Sequence, residues 1–226
     1  MKPKPRSPEE TYGPALTKAR RSFLESEPSA VAVKAGVDYR AGADQSGRFA
    51  CTFLGTRHEI SWPDGTVYRV SQGESTPADI ATTLVLLHYL LTADGSAMAD
   101  EWIAFRNVPG GLGYDAAFQG RANARLVRAF GSNRAAFEAA ARAIGGERLT
   151  FGDAAFAFRA LPRVWLAVVL YVADDEFPAS ARVLFDGSAS RYLPTEDLAV
   201  LGGMLASRLI KAARQAGASR ETRDDG

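Results

Sequence analysis

The chain has a single cysteine, Cys51, in 226 residues, so no intramolecular disulfide can form, and a reducing compartment, the cytoplasm, is the expected setting. Histidine is almost as scarce. His58 and His88 are the two present, and a catalytic or metal-binding pair would require the separate elements that carry them to meet. Neither sign of charge is in excess: 27 Lys and Arg face 26 Asp and Glu, giving a net charge of +1. Such a balance provides no field to gather nucleic acid or an anionic membrane, and no partner of either kind is expected. No apolar run reaches the length of a bilayer span, and the first residues lack the apolar stretch of a signal peptide. The motifs of known mechanics are missing too. There is no Gly-x-Ser-x-Gly elbow near Ser188 or Ser190, no Asp-x-Asp-x-Asp-Gly loop, and no Gly-Lys-Ser/Thr ending on the glycines at 110, 111 and 113.

What is present is a globular composition, 46% hydrophobic and 23% charged, sufficient for a substantial core. Residues 1–25 read as an N-terminal arm, partly disordered or helical. Three prolines and the basic residues Lys2, Lys4 and Arg6 open it. Residues 26–215 read as a single globular domain and 216–226 as a disordered tail. Alternation in Phe49, Cys51 and Phe53, again in His58, Ile60 and Trp62, and a third run over Val67 to Val70, predicts an antiparallel meander. Thr76-Pro77-Ala78-Asp79 has the chemistry of a helix start, and the following run to Thr92 is apolar nearly all round, as expected of a buried helix. Glu101 to Arg106 predicts a strand, Asp115 to Phe130 and Arg134 to Ile144 two helices, and Ala154 to Leu161 and Val164 to Val172 two further strands, the second covered on both faces. The fold class expected is α+β: an antiparallel N-terminal meander and a C-terminal set of strands, packed with about four to five helices.

Asp174 to Leu205 carries the densest signals. Asp174-Asp175-Glu176 breaks the preceding strand, Phe177-Pro178 resets the backbone, Ala181 to Phe185 offers a short strand, and Asp186-Gly187-Ser188 ends it. Thr195, followed by Glu196 and Asp197, starts a long helix with Leu198, Leu201, Leu205 and Leu209 on one stripe. Asp-Glu-Phe-Pro-Ala-Ser-Ala, Val-Leu-Phe-Asp-Gly-Ser-Ala and Tyr-Leu-Pro-Thr-Glu-Asp-Leu-Ala-Val-Leu-Gly, with Glu101-Trp102-Ile103-Ala104-Phe105-Arg106 and Leu86-Leu87-His88-Tyr89-Leu90 upstream, resemble the bacterial and archaeal family called domain of unknown function 3786. The resemblance covers most of the chain after about residue 25. It implies no activity, since the family is uncharacterised. Members are similar to proteins found mostly in anaerobes, some fused to an iron–sulfur segment, which implies as one alternative a non-enzymatic protein-partner module in an anaerobic redox or corrinoid-linked system. With one cysteine, this chain alone is not expected to hold an iron–sulfur cluster.

The candidate site is a pocket for a small anionic or flat ligand. Trp102, Phe105, Arg106 and Tyr114 place aromatics and a guanidinium around the glycine loop, and Glu176, Asp186 and Tyr192 come from the turns further on. An ordinary aromatic rim, with Arg106 ion-paired to Glu176 or Asp186, is the competing reading. The acids Asp174, Asp175, Glu176 and Asp186 could supply oxygen ligands or a general base, or could be solvated turns. His88 among leucines reads as a satisfied core histidine and Cys51 as a small buried hydrophobe.

Overall fold

The computed structural model describes residues 7–224. The basic residues 2, 4 and 6 and the expected disorder at the start of the arm lie outside them, as do the last two residues of the tail. The chain divides into two compact units. One comprises residues up to Ala97 with Leu161–Arg163 and Arg191–Asp197; the other comprises Met98–Ala160, Val164–Ser190 and the residues from Leu198 on.

In the first unit, α1 (Pro8–Leu24) is closed by a capping box in which Ser7 and Glu10 satisfy each other's backbone N–H groups. A short α2 (Pro28–Ala35), not expected from its small apolar residues, is capped by the Glu27 carboxylate and stopped by left-handed Gly36. The expected meander is a five-stranded antiparallel sheet in sequence order, β1 (Asp38–Ala41), β2 (Gly47–Phe53), β3 (Thr56–Trp62), β4 (Val67–Ser71) and β5 (Glu74–Pro77). Thr76-Pro77 is therefore the last strand, not a helix start, because Pro77 and Thr76 pair with Tyr68 and Arg69 of β4. The helix begins three residues later: Asp79 accepts from the backbone N–H and hydroxyl of Thr82, and α3 (Ile80–Thr92) follows. Its residues from Thr82 to Leu87, with Tyr89 and Leu90, are buried, as its all-round apolarity requires. The Trp62 indole N–H donates to the Phe23 carbonyl, 3.2 Å away, and the Phe23 ring meets Phe49 of β2, so α1 packs on the sheet.

The second unit is built on the other five-stranded sheet, in the order β6–β10–β9–β8–β7, from β6 (Trp102–Ala104), β7 (Glu147–Leu149), β8 (Ala154–Leu161), β9 (Val164–Tyr171) and β10 (Ser180–Asp186). β9 is central, and Val164 and Leu166 to Leu170 are each at most 2% exposed. β8 is buried at every position but Arg159, so its alternating small and large side chains do not mark an exposed face. β6 is shorter than the expected 101–106 strand, because the chain leaves the sheet at Phe105 in a 3-10 turn, Phe105–Asn107. The helix expected over 115–130 is two helices, α4 (Asp115–Arg121) and α5 (Asn123–Phe130), broken at Ala122 where ψ departs to −70°. α6 (Arg134–Ala143) precedes β7, and α7 (Thr195–Asp224) runs on through the segment expected to be a tail. Leu198, Leu201, Leu205 and Leu209 are at most 1% exposed, so the stripe faces inward as expected. No helix among the described residues is long and apolar enough to cross a membrane.

Candidate functional site

The segment after β6 is fixed by aromatic packing. Phe105 lies face to face on Phe118 of α4, with ring centroids 4.3 Å apart, and both contact Phe185 of β10. Phe105 is thus a core residue, 1% exposed, not part of a rim. From this anchor the chain turns through Val108 and Gly110, the latter at φ 76°, into a second 3-10 turn, Gly111–Tyr114. Gly111 is required there: a Cβ would lie 2.0 Å from the Phe105 carbonyl oxygen. The loop is a tight double turn. It presents Arg106 and Asn107 exposed, Leu112 67% exposed and Tyr114 52% exposed.

Trp102 and Asp186 are cross-strand partners and Trp102 is half-buried. Asp186 is 2% exposed, and its oxygens accept the backbone N–H groups of Ala99, Asp100 and Ser188, each at 3.0 Å, together with the Ser188 hydroxyl. Burial raises its carboxyl, but the Ser188 hydroxyl and these backbone donors outweigh burial and hold the group below the ordinary carboxylate range. The carboxylate clamps residues 99 and 100 to the end of β10. Glu176 lies exposed in the turn before β10, so it and Asp186 flank opposite ends of a strand that is about 20 Å long at the usual rise. The two turns therefore do not converge. In its turn Asp174 accepts from the backbone N–H groups of Glu176 and Phe177, and neither the Asp175 nor the Glu176 carboxylate forms an ion pair among the described residues. Arg106 forms no ion pair with Glu176, Asp186 or any other described residue. Tyr192 belongs to the first unit, where it is buried, packs on Tyr89 and donates its hydroxyl to the Ser96 carbonyl.

Two features were missed in the sequence. His88 is held at 2.5 Å through Nδ1 by Oδ2 of Asp197, the third residue of α7. Since a carboxylate oxygen accepts, Nδ1 is a protonated nitrogen. The His88 side chain is 26% exposed and Asp197 8%. Its partner is thus a charged one, and Nε2 makes no hydrogen bond among the described residues. His58, by contrast, is 4% exposed, with Nδ1 on the Thr56 carbonyl and its ring edge-on to Phe53. The signal available was Asp197 itself, read in the sequence as a helix-dipole acid. The second feature is a groove of about 630 Å³ between α5 and α7, lined by Arg125, Arg128, Lys211 and Arg214 among smaller residues. Its signal is a long run without acids: residues 116–137 hold four arginines and residues 198–220 three arginines and a lysine, with no Asp or Glu in either.

Cys51 is buried, and desolvation pushes its thiol up to about 12 despite nearby Arg57, which suits a small hydrophobe and not a nucleophile. Among the described residues no three His, Cys, Asp or Glu side chains are grouped to hold a metal.

The chain belongs to the family described as domain of unknown function (DUF3786). The family model matches residues 27–208. That span takes in the 102–114 loop, Asp186 and the His88–Asp197 pair, and it ends before Lys211 and Arg214. No curated protein and no solved structure matches the chain. Membership in DUF3786 therefore confers a family and no reaction, and function must be argued from the site.

Proposed function

We propose that this protein is a binding domain for a small anionic ligand, with Arg106 as the anion contact and Tyr114 beside it. The observation that carries this reading is the state of Arg106: an exposed guanidinium, free of any described partner, on a loop whose base is locked by the Phe105–Phe118–Phe185 packing. A guanidinium fork can hold a carboxylate or phosphate by two parallel hydrogen bonds, and a rigid base lowers the ordering cost of that contact. Glu176 and Asp186 have no part in the contact, one being distant along β10 and the other fully engaged by its own turn.

The test is native mass spectrometry of the full chain purified anaerobically, comparing wild type with Arg106→Lys. Lysine keeps the charge and loses the fork, so a co-purified anion should be retained less while the melting temperature stays within about a degree. A lower melting temperature with retention intact would make Arg106 structural and end this reading. A second reading is favoured by one specific observation: Leu112 and Tyr114 expose large apolar surface on the same loop, as a protein-docking hot spot would. Under that reading Leu112→Asp abolishes partner capture and leaves anion retention unchanged.

A further inference from the structure

The groove between α5 and α7 is distinct in position and chemistry from the Arg106 loop. Arg125 and Arg128 stand one turn apart on α5, and Lys211 and Arg214 one turn apart on α7, so each pair shares a helix face. None of the four is ion-paired among the described residues, and the Arg125 guanidinium reaches only the Arg121 carbonyl of its own chain segment, at 3.3 Å. Four like charges around one concavity repel one another, and no carboxylate lines it.

The contrast with the chain's other arginine cluster is informative. Arg134, Arg142 and Arg148 all converge on Glu138, at 2.8, 2.8 and 3.1 Å, and Arg142 and Arg148 also lie over the Phe156 ring. There the fold supplies its own anion. In the groove it supplies none, although the whole chain is nearly neutral at +1 and has acids to spare. Ile210, Ala129 and Ala213 give the groove an apolar portion, and the volume of about 630 Å³ lies within the range of small-ligand pockets. Aromatic side chains are absent from the lining, so no platform exists on which bases could stack.

We infer that this groove is a second anion site, taking a small organic molecule that bears at least two negative charges, with the cations of α5 and α7 holding opposite ends of it. The experiment is isothermal titration of the full chain with fructose 1,6-bisphosphate at low salt. Binding that weakens as salt is raised should be found. Arg128→Glu/Lys211→Glu should lower the affinity tenfold or more. The neutral pair Arg128→Gln/Lys211→Gln should lower it by a smaller factor, and Arg106→Lys should leave it unchanged. Since Arg128 and Lys211 are exposed, these variants should melt like wild type, which a thermal scan verifies. The inference is overturned by an absence of binding, by binding indifferent to the groove substitutions, or by binding lost in Arg106→Lys. It is equally overturned if a uridine dodecamer or a poly-glutamate peptide binds tenfold more tightly than the bisphosphate, since the groove would then serve a macromolecule. Because Arg106→Lys and the groove variants are scored separately, either site can fail without the other.

Discussion

The scarce residues are each held in a way that says what they do. Cys51 is a packing residue whose thiol burial keeps neutral, and His58 is one whose ring edge is spent on Phe53. His88 differs, because its single bond is to a carboxylate from another element and its second nitrogen is left over. At this scale the pair acts as a clamp joining α3 to the first turn of α7. A charge-assisted hydrogen bond of this kind contributes about 1.5 to 3 kcal/mol net. Asp197→Ala, which leaves His88 half-buried without its acceptor, should therefore destabilise the fold by about that amount in urea melts, while Asp197→Asn, which can still accept at Oδ1, should lose roughly half as much. Equal stability of the alanine variant would mean that the pair has no structural weight.

Among the elements, β9 is the one on which the second sheet depends, being central and buried on both faces. Val168 is 0% exposed and is paired with Val183 of β10. A carboxylate there would be buried with no partner, at a cost of several kcal/mol. Val168→Asp should accordingly abolish soluble expression, and a normal yield with a normal melting curve would place the strand at the surface. β9 was legible in the sequence because an unbroken apolar run of that length has few other uses, and α7 was legible through its leucine stripe and the carboxylates of its first turn. The same holds for the meander, whose alternation is in the side chains themselves. What failed to show was decided by contacts distant in sequence. Thr76-Pro77 carries helix-start chemistry, yet strand pairing with β4 claims it; Gly120 weakens the 115–130 helix in the sequence but does not mark the break at Ala122. The candidate site divides along the same line. The glycines at 110, 111 and 113 mark a loop in the sequence, whereas its tight double turn, the saturation of Asp186 by residues 99, 100 and 188 and the separation of Glu176 from it required the fold.

At the scale of the whole molecule, near-neutrality hides an uneven distribution of charge. Basic residues without acids fill two long stretches, while several acids are committed to internal networks, and this division sets the response to acid. Glu138 is held at about 2, below its ordinary value of 4.5, first by the hydrogen bond from Arg134 and then by Arg148 and Arg142, against a smaller opposing effect of burial. Asp186 is depressed as well. A carboxyl whose folded value lies below its unfolded one contributes stability that is fully present above the unfolded value and is lost as pH falls through the folded one. For Glu138 the loss runs from about pH 4.5 down to about 2. The melting temperature should thus be nearly level from pH 7 to 5 and fall steeply below 4.5. Glu138→Gln removes the titrating group and leaves three arginines facing one another, so it should melt lower at pH 7 and show a shallower acid decline, approaching wild type near pH 2. Thermal scans of both proteins from pH 7 to 2 decide the matter: parallel curves, with the same acid limb in the variant, would show that the Glu138 network does not contribute to the pH dependence.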